Sequence, residues 1–149
     1  MNFKSHPAVR DGYILVVDVP AMAELIAGWI RKAGYRTKIA HTYEQARIIF
    51  EESHPILITI YDEIRSSDVP MDGFLGKPFS EEFENIIKFL MYVPDYKVYM
   101  GGTRKYGCFG HYFDMWIEKP FNPGMLIASI DRYLEFEYEH KDKYDGFTI

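Results

Sequence analysis

Two apolar runs stand out along the chain, Tyr13–Val17 and residues 56–61, and neither alternates between apolar and polar positions. Both are of strand length. Continuous Val and Ile content of this kind predicts parallel strands covered by helices on both faces. After the first run the period changes: Met22, Leu25, Ile26, Trp29, Ile30 and Ala33 recur at helical spacing from Pro20 onward, and Gly34 supplies a C-terminal stop. Residues 35–40 read as a short strand. Thr42 and Gln45 have the spacing of a capping box, before a helix whose apolar face carries Ala46, Ile49 and Phe50. Downstream, a polar stretch over 62–77 precedes a helix capped by Ser80 and bearing Phe83, Ile86, Ile87 and Leu90. Residues 97–100 form a fourth strand. The stretch 101–110 holds four glycines and leaves room for only a turn or two of helix before a fifth strand over 115–118. Asn122 then caps a last helix, with Pro123 in its first turn and Leu126, Ile127, Ile130, Tyr133 and Leu134 on one face.

Strands alternating with helices define the class as α/β, a (βα)5 doubly wound, parallel five-stranded sheet with right-handed crossovers. The body spans residues 13–136, with an N-terminal extension over 1–12 and a charged tail over 137–149 that continues the last helix. In such sheets ligands sit beyond the C-terminal strand ends. Asp18, Tyr61, Asp62, residues 101–103, Glu118 and Lys119 therefore carry any chemistry.

Composition narrows the classes of function. At 149 residues, 48% hydrophobic and 26% charged, the chain has room for one well-formed core. Net charge is -5 with no Lys/Arg block to neutralise phosphates, which argues against nucleic acid as a partner. No apolar run approaches the length of a membrane helix, and residues 1–12 lack the apolar core of a secretory signal. The expected compartment is the cytoplasm, which a single cysteine, Cys108, also fits. Aromatic residues make up 17% of the chain, an excess that needs a location. Cys108 with His111 is too small a ligand set for a metal site. Residues 101–105, Gly-Gly-Thr-Arg-Lys, lack the ending of a phosphate loop. The remaining histidines, His41 among them, show no ligand spacing.

The motifs at the strand ends are more specific. Ile14-Leu15-Val16-Val17-Asp18-Val19-Pro20, Ala33-Gly34-Tyr35, His54-Pro55, Met71-Asp72-Gly73-Phe74 and Lys119-Pro120-Phe121 occur in that order. Over residues 13–136 the chain resembles a response-regulator receiver domain (CheY-like), the phosphorylatable switch of two-component signalling and phosphorelay. The resemblance implies two acidic residues after the first strand to hold Mg2+, an Asp phosphoacceptor after the third, a Thr or Ser after the fourth and a Lys after the fifth. Carboxylates suit the hard cation, and the metal and Lys neutralise phosphoryl charge.

This chain departs from that set. Counting without gaps places Asp18 on the second acidic position and Val17 on the first, and puts Tyr61 in the acceptor position with Asp62 one residue beyond. Gly102 likewise takes the hydroxyl position ahead of Thr103, while Lys119 stands in place. One residue matters because consecutive strand side chains face opposite ways, unless a bulge re-aims them. Asp18 also has a purely structural reading as the cap of the helix at Pro20. Trp116 stands where receivers carry a switch aromatic, and the shortened fourth helix concentrates Tyr106, Phe109, Tyr112 and Phe113.

The expectation is a stand-alone degenerate pseudo-receiver that is not an enzyme, needs no cofactor and works by phosphorylation-independent protein-protein interaction. Its partner would be a kinase, another regulator or an output protein, and a homodimer through the fourth helix, fifth strand and fifth helix is possible. The alternative is a working receiver with Asp62 as phosphoacceptor, Asp18 and Asp62 on Mg2+, Thr103 as hydrogen-bond donor and Lys119 as counter-charge. A flavin or nucleotide enzyme of flavodoxin-like fold ranks third, since Asp18-Val19-Pro20 offers a phosphate no donors.

Overall fold

The computed structural model describes residues 3–52, 56–62, 96–100, 114–117 and 122–145. A 3-10 turn over Phe3–Ser5 leads into a short helix α1 (Pro7–Asp11), then β1 (Tyr13–Val17), α2 (Pro20–Lys32), β2 (Thr37–Ala40) and α3 (Tyr43–Glu52). The strands β3 (Ile56–Asp62), β4 (Tyr96–Met100) and β5 (Met115–Ile117) follow, and α4 (Pro123–Asp145) closes the order. All strand pairs are parallel, in the order β2-β1-β3-β4-β5. The α/β class with a parallel sheet is as the apolar runs predict. The Ser80 helix and the short helix after β4 lie outside the described residues.

All five residues of β1 are buried, which explains why its sequence does not alternate. Alternate side chains of a strand face opposite sides, and both sides are covered. On one side Ile14 and Val16 join Ile60, Val98 and Ile117 against Ala23, Ile26, Ala27 and Ile30 of α2 and Leu126, Ile130 and Leu134 of α4. α3 packs on β1 and β2 and buries Ala46 and Phe50.

Gly34 ends α2 as its position suggests. It adopts φ 101°, a conformation that side-chain-bearing residues avoid. Its N–H donates to Arg31 O (2.9 Å) and the Tyr35 N–H to Ile30 O (3.3 Å), so the last carbonyls of the helix are satisfied. Tyr35 then turns into the core beside Ile30.

The first residues pack against this body. Val9 is buried in the main core and Phe3 packs against it. Lys4 Nζ donates to Ala33 O (3.0 Å) and lies 3.8 Å from Asp131 on α4. The Tyr35 hydroxyl donates to the same Asp131 carboxylate. Nearby, Tyr96 and Tyr133 stack with ring centroids 3.9 Å apart, and His6 lies against Tyr138 at 5.1 Å. Part of the aromatic excess thus lies against α4, from the N-terminal segment and from β4.

Burial, and then neighbouring carboxylates, pushes up the phenol pKa of Tyr35, Tyr96, Tyr133 and Tyr138, Tyr133 to about 12. A phenol whose folded pKa exceeds its unfolded value stabilises the fold fully below the unfolded pKa near 10.0, and that contribution is lost as pH rises through the folded value. The protein is therefore expected to lose stability as pH climbs from 10 towards 12, with tyrosinate absorbance from these four rings lagging behind that of exposed tyrosines. A second expectation concerns Thr59, whose buried hydroxyl on β3 has no hydrogen-bond partner among the described residues. Thr59→Val should leave stability unchanged or raise it by about 1 kcal/mol in a urea titration, because it removes an unsatisfied polar group at nearly constant shape.

Candidate functional site

β1 and β3 carry their chemistry to the same end of the sheet. Val17 pairs with Tyr61, the last β1–β3 pair in register, so Asp18 and Asp62 come next along two adjacent parallel strands. Asp62 is itself the last residue of β3 and pairs with Met100 on β4. The row behind them runs Ala40, Val17, Tyr61, Tyr99 and Trp116 across all the strands.

By ungapped count along the sequence Tyr61 falls in the acceptor position, with Asp62 one residue beyond. The pairing of β3 with β1 is irregular at its start: Tyr13 pairs with Ile56, but Ile14 pairs with Ile58. Leu57 is therefore an extra residue on β3, a bulge that displaces every later residue by one. It lies at the start of the strand, where no local sequence signal marks it.

Asp18 is buried, with 2% of its surface exposed. Its own N–H donates to Ala40 O (3.1 Å) and its Oδ1 accepts the Val19 N–H at 2.6 Å. The capping role suggested by the sequence is corrected here: the N-cap of α2 is Val19, without a side-chain hydrogen bond. A cap must accept from N–H groups two or three residues on, whereas the Asp18 carboxylate bonds to its immediate neighbour. Pro20 in the first turn lacks an N–H, which reduces the demand for a cap. Val17, at the first acidic position by ungapped count, is fully buried, and Val19 is exposed.

On the other side of Asp18 the sequence reading missed a partner. His41 Nδ1 lies 3.1 Å from the Asp18 carbonyl oxygen. The nearest clue was the capping box that follows: Gln45 N–H donates to Thr42 Oγ1 (3.1 Å), while Gln45 Oε1 accepts the His41 N–H (2.8 Å). Of the remaining predicted residues, Thr103, Lys119, Tyr106, Phe109, Tyr112 and Phe113 lie outside the described residues, as does the stretch 63–95. Trp116 is placed in β5 by its backbone. Among the described residues no group of three or more His, Cys, Asp or Glu side chains is arranged to hold a metal ion, and no helix is long and apolar enough to cross a membrane.

No protein-family model and no curated protein matches the sequence. Solved structures do match, 79 chains in all. A CheY-like response regulator receiver domain protein from Methanospirillum hungatei JF-1 is similar with TM-score 0.62 and 20% identity, over 87% of this chain and 98% of the other. A two-component response regulator from Clostridium difficile is similar with TM-score 0.62 and 18% identity, over 83% and 96%. An adenylate cyclase from Rhodopirellula baltica is similar with TM-score 0.63 and 13% identity, over 93% and 98%. The chain has the fold of the response-regulator receiver domains. Likeness at these identities speaks to fold, and function rests on the site.

The capping box that precedes α3 yields its own test. Thr42→Ala removes the hydroxyl that accepts the Gln45 N–H and should lower stability by about 1 kcal/mol, measured by chemical denaturation.

Proposed function

We propose that the chain is a receiver module of two-component signalling in which Asp62 is the phosphoacceptor and Asp18 a carboxylate for Mg2+. The observation that supports this reading is the register of β3 with β1, in which Leu57 is unpaired and Tyr61 pairs with Val17, so that Asp62 and Asp18 each follow a paired residue at the same end of the sheet. The donor chemistry fits the ion, since carboxylate oxygens are the ligands a hard divalent cation takes. When bound, Mg2+ supplies charge neutralisation at the phosphoryl oxygens. A carboxylate oxygen of Asp62 attacks phosphorus, an acyl phosphate forms, and the donor group leaves with the electron pair of the broken bond. Thr103 would donate a hydrogen bond to the phosphoryl group and Lys119 would balance its charge.

The partners on this reading are a kinase as phosphoryl donor and another regulator or an output protein as receiver of the signal, in the cytoplasm. Tyr106, Phe109, Tyr112 and Phe113 are the candidate contact residues, with self-association through the region from the shortened helix to α4 as a further use of that surface.

A second reading has an observation of its own. Val17 stands fully buried where the ungapped count puts the first acidic residue, which supports a pseudo-receiver acting by protein contact alone. One experiment separates the two. Incubation with Mg2+ and acetyl phosphate, followed by intact-mass measurement, should add a phosphoryl group to the wild type and to Tyr61→Phe but not to Asp62→Asn. A wild type that gains no mass abandons the acceptor reading in favour of the pseudo-receiver.

A further inference from the structure

A series of hydrogen bonds runs from the start of α3 to the Asp18 carboxylate. Thr42 Oγ1 accepts from the Gln45 N–H, and Gln45 Oε1 accepts from the His41 N–H, so the backbone of His41 is fixed before its ring is considered. The ring then meets the Asp18 carbonyl oxygen at 3.1 Å. A carbonyl oxygen only accepts, so Nδ1 carries the proton.

The next link is covalent. The Asp18 carbonyl and the Val19 N–H are two ends of one planar peptide unit, which turns as a rigid body. That N–H is the donor to Asp18 Oδ1 at 2.6 Å. Rotating the peptide away from His41 would therefore take the N–H away from the carboxylate as well. The flanks of this unit are already set. Asp18 N–H is bonded to Ala40 O at 3.1 Å, and Pro20 holds Val19 in extended geometry with ψ 152°. The orientation of the Asp18–Val19 peptide lies between these two anchors, and the His41 ring bonds to it.

We infer that His41 is a positioning residue for the Asp18 carboxylate, acting through the peptide that joins Asp18 to Val19. The inference rests on the reading of Asp18 as the cation carboxylate of the strand-end site. It adds a role for a side chain that follows a different strand, β2, and it links the fold of α3 to the aim of a carboxylate on β1. The two bonds on the Asp18–Val19 amide, one at its carbonyl and one at its N–H, polarise one another through that peptide.

The test uses the full chain with Mg2+ as the probe, titrated calorimetrically into the wild type, Asp18→Asn, His41→Ala and His41→Asn. Amide hydrogen exchange at Val19 is followed in each. Asn places an amide donor near the position of Nδ1 and serves as the conservative variant. Asp18→Asn is expected to lose Mg2+ binding. His41→Ala should bind Mg2+ about 10-fold more weakly, as loss of a supporting hydrogen bond to a ligand commonly does, and His41→Asn should recover most of that loss. The Val19 amide should exchange faster in His41→Ala and return towards wild-type behaviour in His41→Asn, with or without the ion. Wild-type affinity in His41→Ala, or an unchanged Val19 amide, overturns the inference. A wild type that takes up no Mg2+ overturns the Asp18 reading instead, and the exchange comparison still decides the part played by His41.

Discussion

The complete burial of β1 is the constraint on which the rest of the structure depends. Five consecutive side chains without solvent on either face require helices on both sides of the sheet. α2 and α4 meet that need on one side, through Ile26, Ile30, Leu126 and Ile130. A strand packed in this way has little freedom to slide, since a slip of one residue would exchange the contents of two cores. Its exit is therefore fixed in space, and Asp18, the first residue beyond it, inherits that fixity. The position of Asp18 follows from this inherited rigidity, with a few hydrogen bonds directing its final orientation.

Those bonds come from neighbours that are close in the sheet and distant in sequence. Ala40 and His41, at the end of β2, reach Asp18 because β1 and β2 are parallel and end together. The far side of the molecule is organised differently. There the N-terminal segment, Tyr35 and α4 share a half-buried polar cluster around Asp131, with stacked and tilted rings beside it. Desolvated phenols and one carboxylate hold that region together, and it carries none of the residues that point to phosphoryl chemistry.

Much of this was legible in the sequence because the features are local or periodic. The lack of alternation in Tyr13–Val17 announces a doubly covered strand, and Gly34 announces the end of α2 through a backbone angle that other residues resist. Thr42 and Gln45 announce the start of α3, and Asn122 Oδ1 does accept the Gly124 N–H at 2.7 Å at the start of α4. What the sequence did not reveal depends on pairing between strands. Asp18 looked like a helix cap because Asp before a helix usually is one, but its carboxylate is turned back onto the adjacent peptide. His41 looked incidental because its acceptor is a main-chain carbonyl on another strand, which leaves no trace in residue spacing. The strand bulge is invisible for the same reason: it is a property of two chains of backbone counted against each other.

That bulge can be described as a shift of reading frame. Along a strand the identity of the residue that arrives at a given place is decided by counting, and Leu57 is counted on β3 without a counterpart on β1. Upstream of it the chain is in one frame, downstream in the next, and Tyr61 pairs with Val17 where an even count from Ile56 would bring Ile60. A phenol and a carboxylate thus stand one step apart at the end of the same strand. The length of β3 ahead of Tyr61, rather than any change of side chain, decides which residue of β3 comes level with Asp18.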